Sequence, residues 1–179
     1  EAIEHLEKYI LDPIEIGEIT KKHANYTLGY CHLKNNNYTK ALQLFTIAAD
    51  FNPYTESSAY QKDALVRLSD CQFMTKQYKQ ALKSYQKIID LGWNLEDYAT
   101  LQKAIIYGAL GLNKEKLKIL NSYDTEFSQS KYLSDARMEL ADTYTSKEQF
   151  QEAITPLSKV ILDNKATEFY PMAYYKLGI

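Results

Sequence analysis

Glycine and proline are scarce in this 179-residue chain, at 6 and 4 residues. Their scarcity removes the two strongest helix breakers, so most of the chain is free to be helical. No run of 18 or more apolar residues occurs, so no segment is expected to span a membrane. The formal net charge is -2, from 21 basic and 23 acidic residues. The basic excess of a nucleic-acid binder is therefore missing. Also missing are a Gly-rich phosphate loop, an H-E-x-x-H pair, a serine elbow and a C-x-x-C pair. The three histidines, His5, His23 and His32, are not grouped with any nucleophile. No cofactor, metal or catalytic role is expected.

What is present is ordinary for a globular chain with a sizeable core: 45% hydrophobic and 25% charged residues. The unusual feature is 16 tyrosines against 6 phenylalanines and 1 tryptophan. Helical spacing starts at once in "EAIEHLEKYIL", and the last residue, Ile179, follows a Leu-Gly pair in mid-pattern. The chain reads as a piece cut from something longer.

The pattern is a repeat. "YTKALQLFTIAAD" around Ala41 lies over "YKQALKSYQKIID" around Ala81, with Tyr on Tyr, Ala-Leu on Ala-Leu and Phe on Tyr. "FQEAITPLSKVILD" adds a copy at Ala153 and "EAIEHLEKYILD" one at Ala2, and "KEKLKIL" is weaker, with Leu117 in the alanine slot. A sustained period of this length marks a stacked array rather than one closed core. Each unit holds two stretches of 3.6-residue periodicity. They are joined by a polar turn such as "KNNN", whose Asn residues tolerate left-handed backbone and cap the next helix. Pro53 is expected to end the first pair.

These units resemble the tetratricopeptide repeat, a two-helix unit with the signature W-x2-L-G-x2-Y, A-x3-F and P. Asn25, Leu28, Gly29, His32, Ala41, Phe45 and Pro53 take its positions in the first full unit, with the two aromatic slots of the first helix, at Asn25 and His32, substituted but the spacing intact. Leu65, Leu68, Ser69, Gln72, Ala81 and Tyr85 match in the second, and Arg137, Leu140, Ala141, Tyr144, Ala153 and Leu157 in the fourth. A fifth opens with Tyr174, Leu177 and Gly178. The third is degenerate, with Ile105 in the small-residue slot and Gly108 in the tyrosine slot. The resemblance implies an all-α solenoid of stacked antiparallel helix pairs, about nine helices in all. The expected divisions are a second helix of a preceding repeat at 1–12, repeats at 14–55, 56–94, 95–129 and 130–166, and the first helix of a following repeat at 167–179. Gly29, Ser69, Ala141 and Gly178 are then small because the first helix crosses the second there. Tyr38, Tyr78 and Phe150 would cover the top of each pair.

The resemblance also implies a non-catalytic scaffold presenting a concave groove to a protein or peptide partner. Mapped onto the family's groove positions, the candidates are Tyr26, Tyr30, Val66, Asp70, Phe73, Gln102, Ile106, Met138 and Asp142. His23, Leu33, Lys34, Asp63, Met74 and Asp135 stand beside them. The Lys, Asn and Arg clamp of chaperone-binding relatives is absent, so apolar or basic segments are expected rather than acidic tails. Two units separate Asp70 from Asp142, too far for an acid/base pair. Cys31 and Cys71 share one repeat position, which packed helices hold ~8–10 Å apart, beyond disulfide reach. They read as reduced structural cysteines. Raw apolar ends (Tyr9 and Ile10; Tyr174 and Leu177) point to end-to-end self-association. The long, tyrosine-rich units look like the bacterial cell-envelope branch of the family, which would place the chain in the periplasm or envelope. Two other roles fit the same residues: a structural segment of a long envelope protein, or an appendage of an enzyme whose catalytic domain lies elsewhere.

Overall fold

The structure is a computed structural model, and it describes residues 1–12, 20–51, 58–163 and 167–178. Among these residues there are ten α-helices, one 3-10 turn at Thr167–Phe169 and no strand. The helices are α1 (Ala2–Leu11), α2 (Lys21–Lys34), α3 (Tyr38–Ala48), α4 (Ala59–Met74), α5 (Tyr78–Asp90), α6 (Glu96–Ala109), α7 (Asn113–Glu126), α8 (Leu133–Ser146), α9 (Phe150–Leu162) and α10 (Tyr170–Leu177). The all-α fold of stacked helix pairs is thus observed, with ten helices among the described residues where about nine were expected. Pro53, Ile179 and the expected boundaries at 14, 55, 56 and 166 lie outside the described residues.

Two compact units divide the chain, Glu1–Trp93 and Asn94–Ile179. In the first, α2 pairs with α3 and α4 with α5, α3 packs on α4, and α1 lies against α2. In the second, α6 pairs with α7 and α8 with α9, α7 packs on α8, and α10 lies against α9.

One turn, built four times, joins the helices of each pair. The N–H of Asn37, Gln77, Leu112 and Gln149 each returns to the carbonyl five residues back, at His32, Gln72, Tyr107 and Tyr144 (2.7–2.9 Å). The preceding residues, Asn36, Lys76, Gly111 and Glu148, bond three residues back and stand at φ 57, 61, 72 and 59. Together these bonds form the Schellman end, which satisfies carbonyls that a helix terminus leaves open. Only Asn36 and Gly111 are residue types that favour this backbone region.

The turns fix the register of every unit. Counting five residues on from each left-handed residue gives Ala41, Ala81, Lys116 and Ala153. The third unit is therefore not Leu117-centred. Its alanine slot holds Lys116, its small slot Ala104 and its tyrosine slot Tyr107, each one residue before the expected position. Ala104 is fully buried, as Ser69 and Ala141 are. Lys116 runs its stem past Gly108, where an added Cβ would lie 3.0 Å from Lys116 Cδ. Its ammonium pairs with Glu139 of α8 at 2.7 Å.

The same register exposes an alanine row that the sequence reading passed over. Ala24, Ala64, Ala99, Ala136 and Ala173 each stand five residues before the small slot of a first helix, and all are buried. In α10 this alanine joins a core with Ala153, Leu157 and Val160 of α9.

Gly29 faces Phe45 as the crossing argument requires. A Cβ at Gly29 would fall 2.9 Å from the phenyl ring, closer than real Cβ contacts come. Gly178 behaves otherwise. It caps α10 at φ 76, and a Cβ there meets nothing within 4 Å. Its requirement is conformational rather than steric. Phe150, expected to cover its pair, is 63% exposed. Tyr85 and Tyr123 fill core slots where Phe45 and Ala48 stand in the first pair. Each is buried because its hydroxyl finds an acceptor: Tyr85 donates to Asp70 at 2.6 Å and Tyr123 to the Asp97 carbonyl at 2.8 Å.

Candidate interaction surface

In the first unit, α2 and α4 bring an aromatic and an ionic cluster together. Tyr26 and Tyr30 are one turn apart on α2, so they share a face. Their rings meet edge to face at 5.1 Å, and both flank Phe45. His23, on the same helix, stacks on Tyr60 of α4 at 5.0 Å. The two tyrosine hydroxyls donate to one oxygen of Asp63.

Arg67 organises the rest. Its Nε donates to the Tyr30 hydroxyl (2.9 Å), one terminal nitrogen to Asp70 (2.8 Å) and the other to Asp63 (3.2 Å). The Asp63, Arg67 and Asp70 spacing is four and three residues, which puts all three side chains on one face of α4. That spacing is readable in the sequence, yet Arg67 was not among the candidates, because it lies outside the family's groove positions. Burial works against the guanidinium charge, but Asp70 and Asp63 hold it firmly protonated. Burial, and then the charge of Asp63, raises Tyr26 well above a free phenol. Burial and the Asp63 hydrogen bond raise Tyr30. The cluster therefore holds a charged guanidinium and neutral tyrosines beside two acidic side chains, a formal count of two acids to one base.

The other candidates fall differently. Val66, on α4, is 4% exposed and belongs to the core. Phe73 is half-buried, its ring 5.9 Å from Tyr78. In the second unit Ile106 is fully buried and Met138 is 8% exposed. Val66, Ile106 and Met138 are thus corrected from groove-lining to packing residues. The cause is the same in each case: an apolar side chain on a first helix is claimed by the neighbouring helices. The register shift also moves the groove positions of the third unit to Leu101 and Ile105 and away from Gln102 and Ile106. Asp142 is exposed and pairs with Lys176 of α10. Of the nine candidates, the structure brings Tyr26, Tyr30 and Asp70 into one network.

The second unit has a cleft of about 290 Å³ between α7, α8 and α9. Both of its basic residues are paired: Arg137 with Asp124 (2.9 Å) and with Asp163 beside the cleft (3.3 Å), and Lys159 with Asp124 (2.6 Å). Both cysteines are free thiols. Cys71 is buried, and burial pushes its thiol up to about 11, which makes it unreactive. No group of three potential metal ligands occurs among the described residues.

Residues 63–91, covering most of α4 and all of α5, match the family model described as tetratricopeptide repeat. No curated protein sequence matches the chain. Among solved structures, MamA from Desulfovibrio magneticus RS-1 is similar with a TM-score of 0.68 at 14% identity, covering 89% of this chain and 81% of that one. YrrB, a tetratricopeptide-repeat protein with an unusual peptide-binding site, gives 0.61 at 21% identity, covering 88% and 75%. A tetratricopeptide repeat protein from Parabacteroides merdae gives 0.64 at 16% identity, covering 88% and 60%. Identities this low speak to the fold alone. The fold is that of tetratricopeptide-repeat proteins, and the match at 63–91 places one such repeat in the chain.

Proposed function

We propose that this tetratricopeptide-repeat array is a non-catalytic scaffold for a protein or peptide partner. Its seat is the α2–α4 face of the first unit, and its preferred ligand is an extended segment of apolar and basic side chains. One observation carries the reading. Asp63 and Asp70 both pair with Arg67, two carboxylates set against one guanidinium, beside the half-buried rings of Tyr26, Tyr30 and Tyr60. Aromatic rings supply broad apolar contact, and the residual charge favours Lys or Arg over a carboxylate. The peptide-binding site of YrrB supports such a role for the fold without locating it here.

Isothermal titration with an alternating Leu-Lys peptide and its Leu-Glu counterpart tests it. The basic peptide should bind more tightly, and more so at low salt. Tyr30→Ala should weaken it by roughly tenfold, about 1.4 kcal/mol. Asp70→Asn should flatten the salt dependence. Tighter binding of the acidic peptide to this face would overturn the proposal. Of the residues expected at raw ends, Tyr9, Ile10 and Leu177 are half-buried and Tyr174 is 41% accessible, and the exposure of Tyr174 supports end-to-end self-association of the chain as well. Sedimentation over a wide concentration range would show a rising mean mass.

A further inference from the structure

A second surface of the first unit carries the opposite charge. Lys79, Lys83 and Lys87 recur every fourth residue along α5, and all three are exposed. Successive side chains at this spacing are neighbours ~6 Å apart, and like charges there repel. The ridge ends at an aromatic pair, Phe51 and Trp93, whose ring centroids are 5.3 Å apart. Lys87 lies over the Phe51 ring at 4.5 Å and Lys62 over the Trp93 ring at 5.5 Å. No salt bridge joins any of these four lysines to a carboxylate among the described residues. Asp50, whose charge Lys87 also feels, is paired directly with Lys22 at 2.8 Å.

We propose that the α5 ridge and the Phe51–Trp93 pair form a docking surface for an acidic protein segment, separate from the α2–α4 face. Charge complementarity and spacing select the occupant. Glutamates one turn apart on a helix, or at alternate positions of an extended strand, advance ~6–7 Å and so match the lysine interval. The rings seat an apolar side chain next to that acidic run. A helix of 13 residues is ~20 Å long, which suits a short peptide segment better than a polyanion wrapping a surface. The whole chain is net negative, which disfavours long polyanions and anionic bilayers.

Trp93 is the only tryptophan, so its fluorescence reports this surface directly. The probe is a helix-forming peptide with Glu at every fourth position and a Leu-Phe end, added to the full chain. It should shift Trp93 emission saturably, with affinity falling steeply as salt rises. Lys83→Glu with Lys87→Glu should weaken it by roughly tenfold or more, while helicity by circular dichroism stays the same. Tyr30→Ala should leave it unchanged, which separates this surface from the α2–α4 face. An unresponsive Trp93, or equal binding by the charge-reversed variant, would sink the proposal. So would tighter binding of single-stranded RNA or of vesicles rich in anionic lipid than of the acidic peptide.

Discussion

The α4–α5 repeat and the α6–α7 repeat have the same turn and the same slots, but they fill them differently. In α4–α5, Ala81 stands beneath the small residue Ser69, and Tyr85 fills the core position. In α6–α7 the corresponding residues are Lys116, Ala104 and Leu120. A lysine in an alanine slot adds three carbons and a charged ammonium to a packed crossing. The second unit accommodates it through Gly108, which leaves room for the stem, and through Glu139, which meets the ammonium at 2.7 Å. The side chain is 12% exposed, so the charge is largely withdrawn from water and needs that partner. The difference shows that the turn holds the repeat together, whereas slot residues change when their neighbours change with them.

The sharpest break of this comparison is at the tightest slot. Gly29→Leu inserts a branched side chain where even a Cβ falls 2.9 Å from Phe45. The chain should lose about 2–3 kcal/mol through overpacking, read as a lower denaturant midpoint in the first unit. An unchanged midpoint would show that α2 and α3 can separate freely. In the second unit, Lys116→Ala restores the alanine of the other three pairs yet should destabilise by about 1–2 kcal/mol, because it leaves Glu139 without its cation. A double-mutant cycle with Glu139→Gln isolates the pair, and a coupling energy near zero would refute the compensation.

How much was readable beforehand follows the same line. The helix pairs, the two-helix unit and the Gly29 crossing were legible, because alanine, small and aromatic residues recur in phase. The third register was not, because Lys116 hid the alanine and Leu117 offered a false match one residue later. The alanine row at 24, 64, 99, 136 and 173 was present but unread, since alanine is too common to stand out without the turn positions. Of the candidate surface, Tyr26, Tyr30 and Asp70 came from groove spacing. Arg67 was missed because an ion network belongs to one helix face rather than to a repeat position. Val66, Ile106 and Met138 were misplaced for a related reason: family positions fix direction on a helix, while burial depends on how closely the next helix approaches.

His32 gives a smaller effect that separates the first unit from the fourth repeat, where Tyr144 holds the slot. His32 is 7% exposed, and its Nε2 has no hydrogen-bond partner among the described residues. Burial lowers its pKa, Lys40 lowers it further, and Glu7 opposes them weakly. A depressed folded value means the unfolded chain takes the proton first. Stability is therefore complete above the usual histidine range and falls as pH drops through it toward the folded value. His32→Tyr should flatten the stability of the first unit between pH 7 and 5. Glu7, held below the carboxylate range by the Lys40 hydrogen bond, acts in a separate, more acidic window. A variant with the same slope from pH 7 to 5 would remove His32 from the account.

The smallest effects lie in the turn itself. Lys76 and Glu148 occupy the left-handed position at φ 61 and 59, where Gly111 stands in the third repeat. A side chain in that region costs about 1–2 kcal/mol, and glycine there gives back about 0.5–1 kcal/mol through its looser unfolded state. The balance predicts that Lys76→Gly and Glu148→Gly each stabilise their unit by about 0.5–1 kcal/mol. Gly111→Ala is the reverse experiment. An added Cβ at Gly111 meets nothing within 4 Å, so any loss must come from the backbone conformation and not from a clash. It should destabilise the second unit by about 0.5–1 kcal/mol. If Gly111→Ala were neutral while Lys76→Gly stabilised, the gain at 76 would have to come from the lysine side chain, and the turn would not be the common element that sets the register of all four pairs.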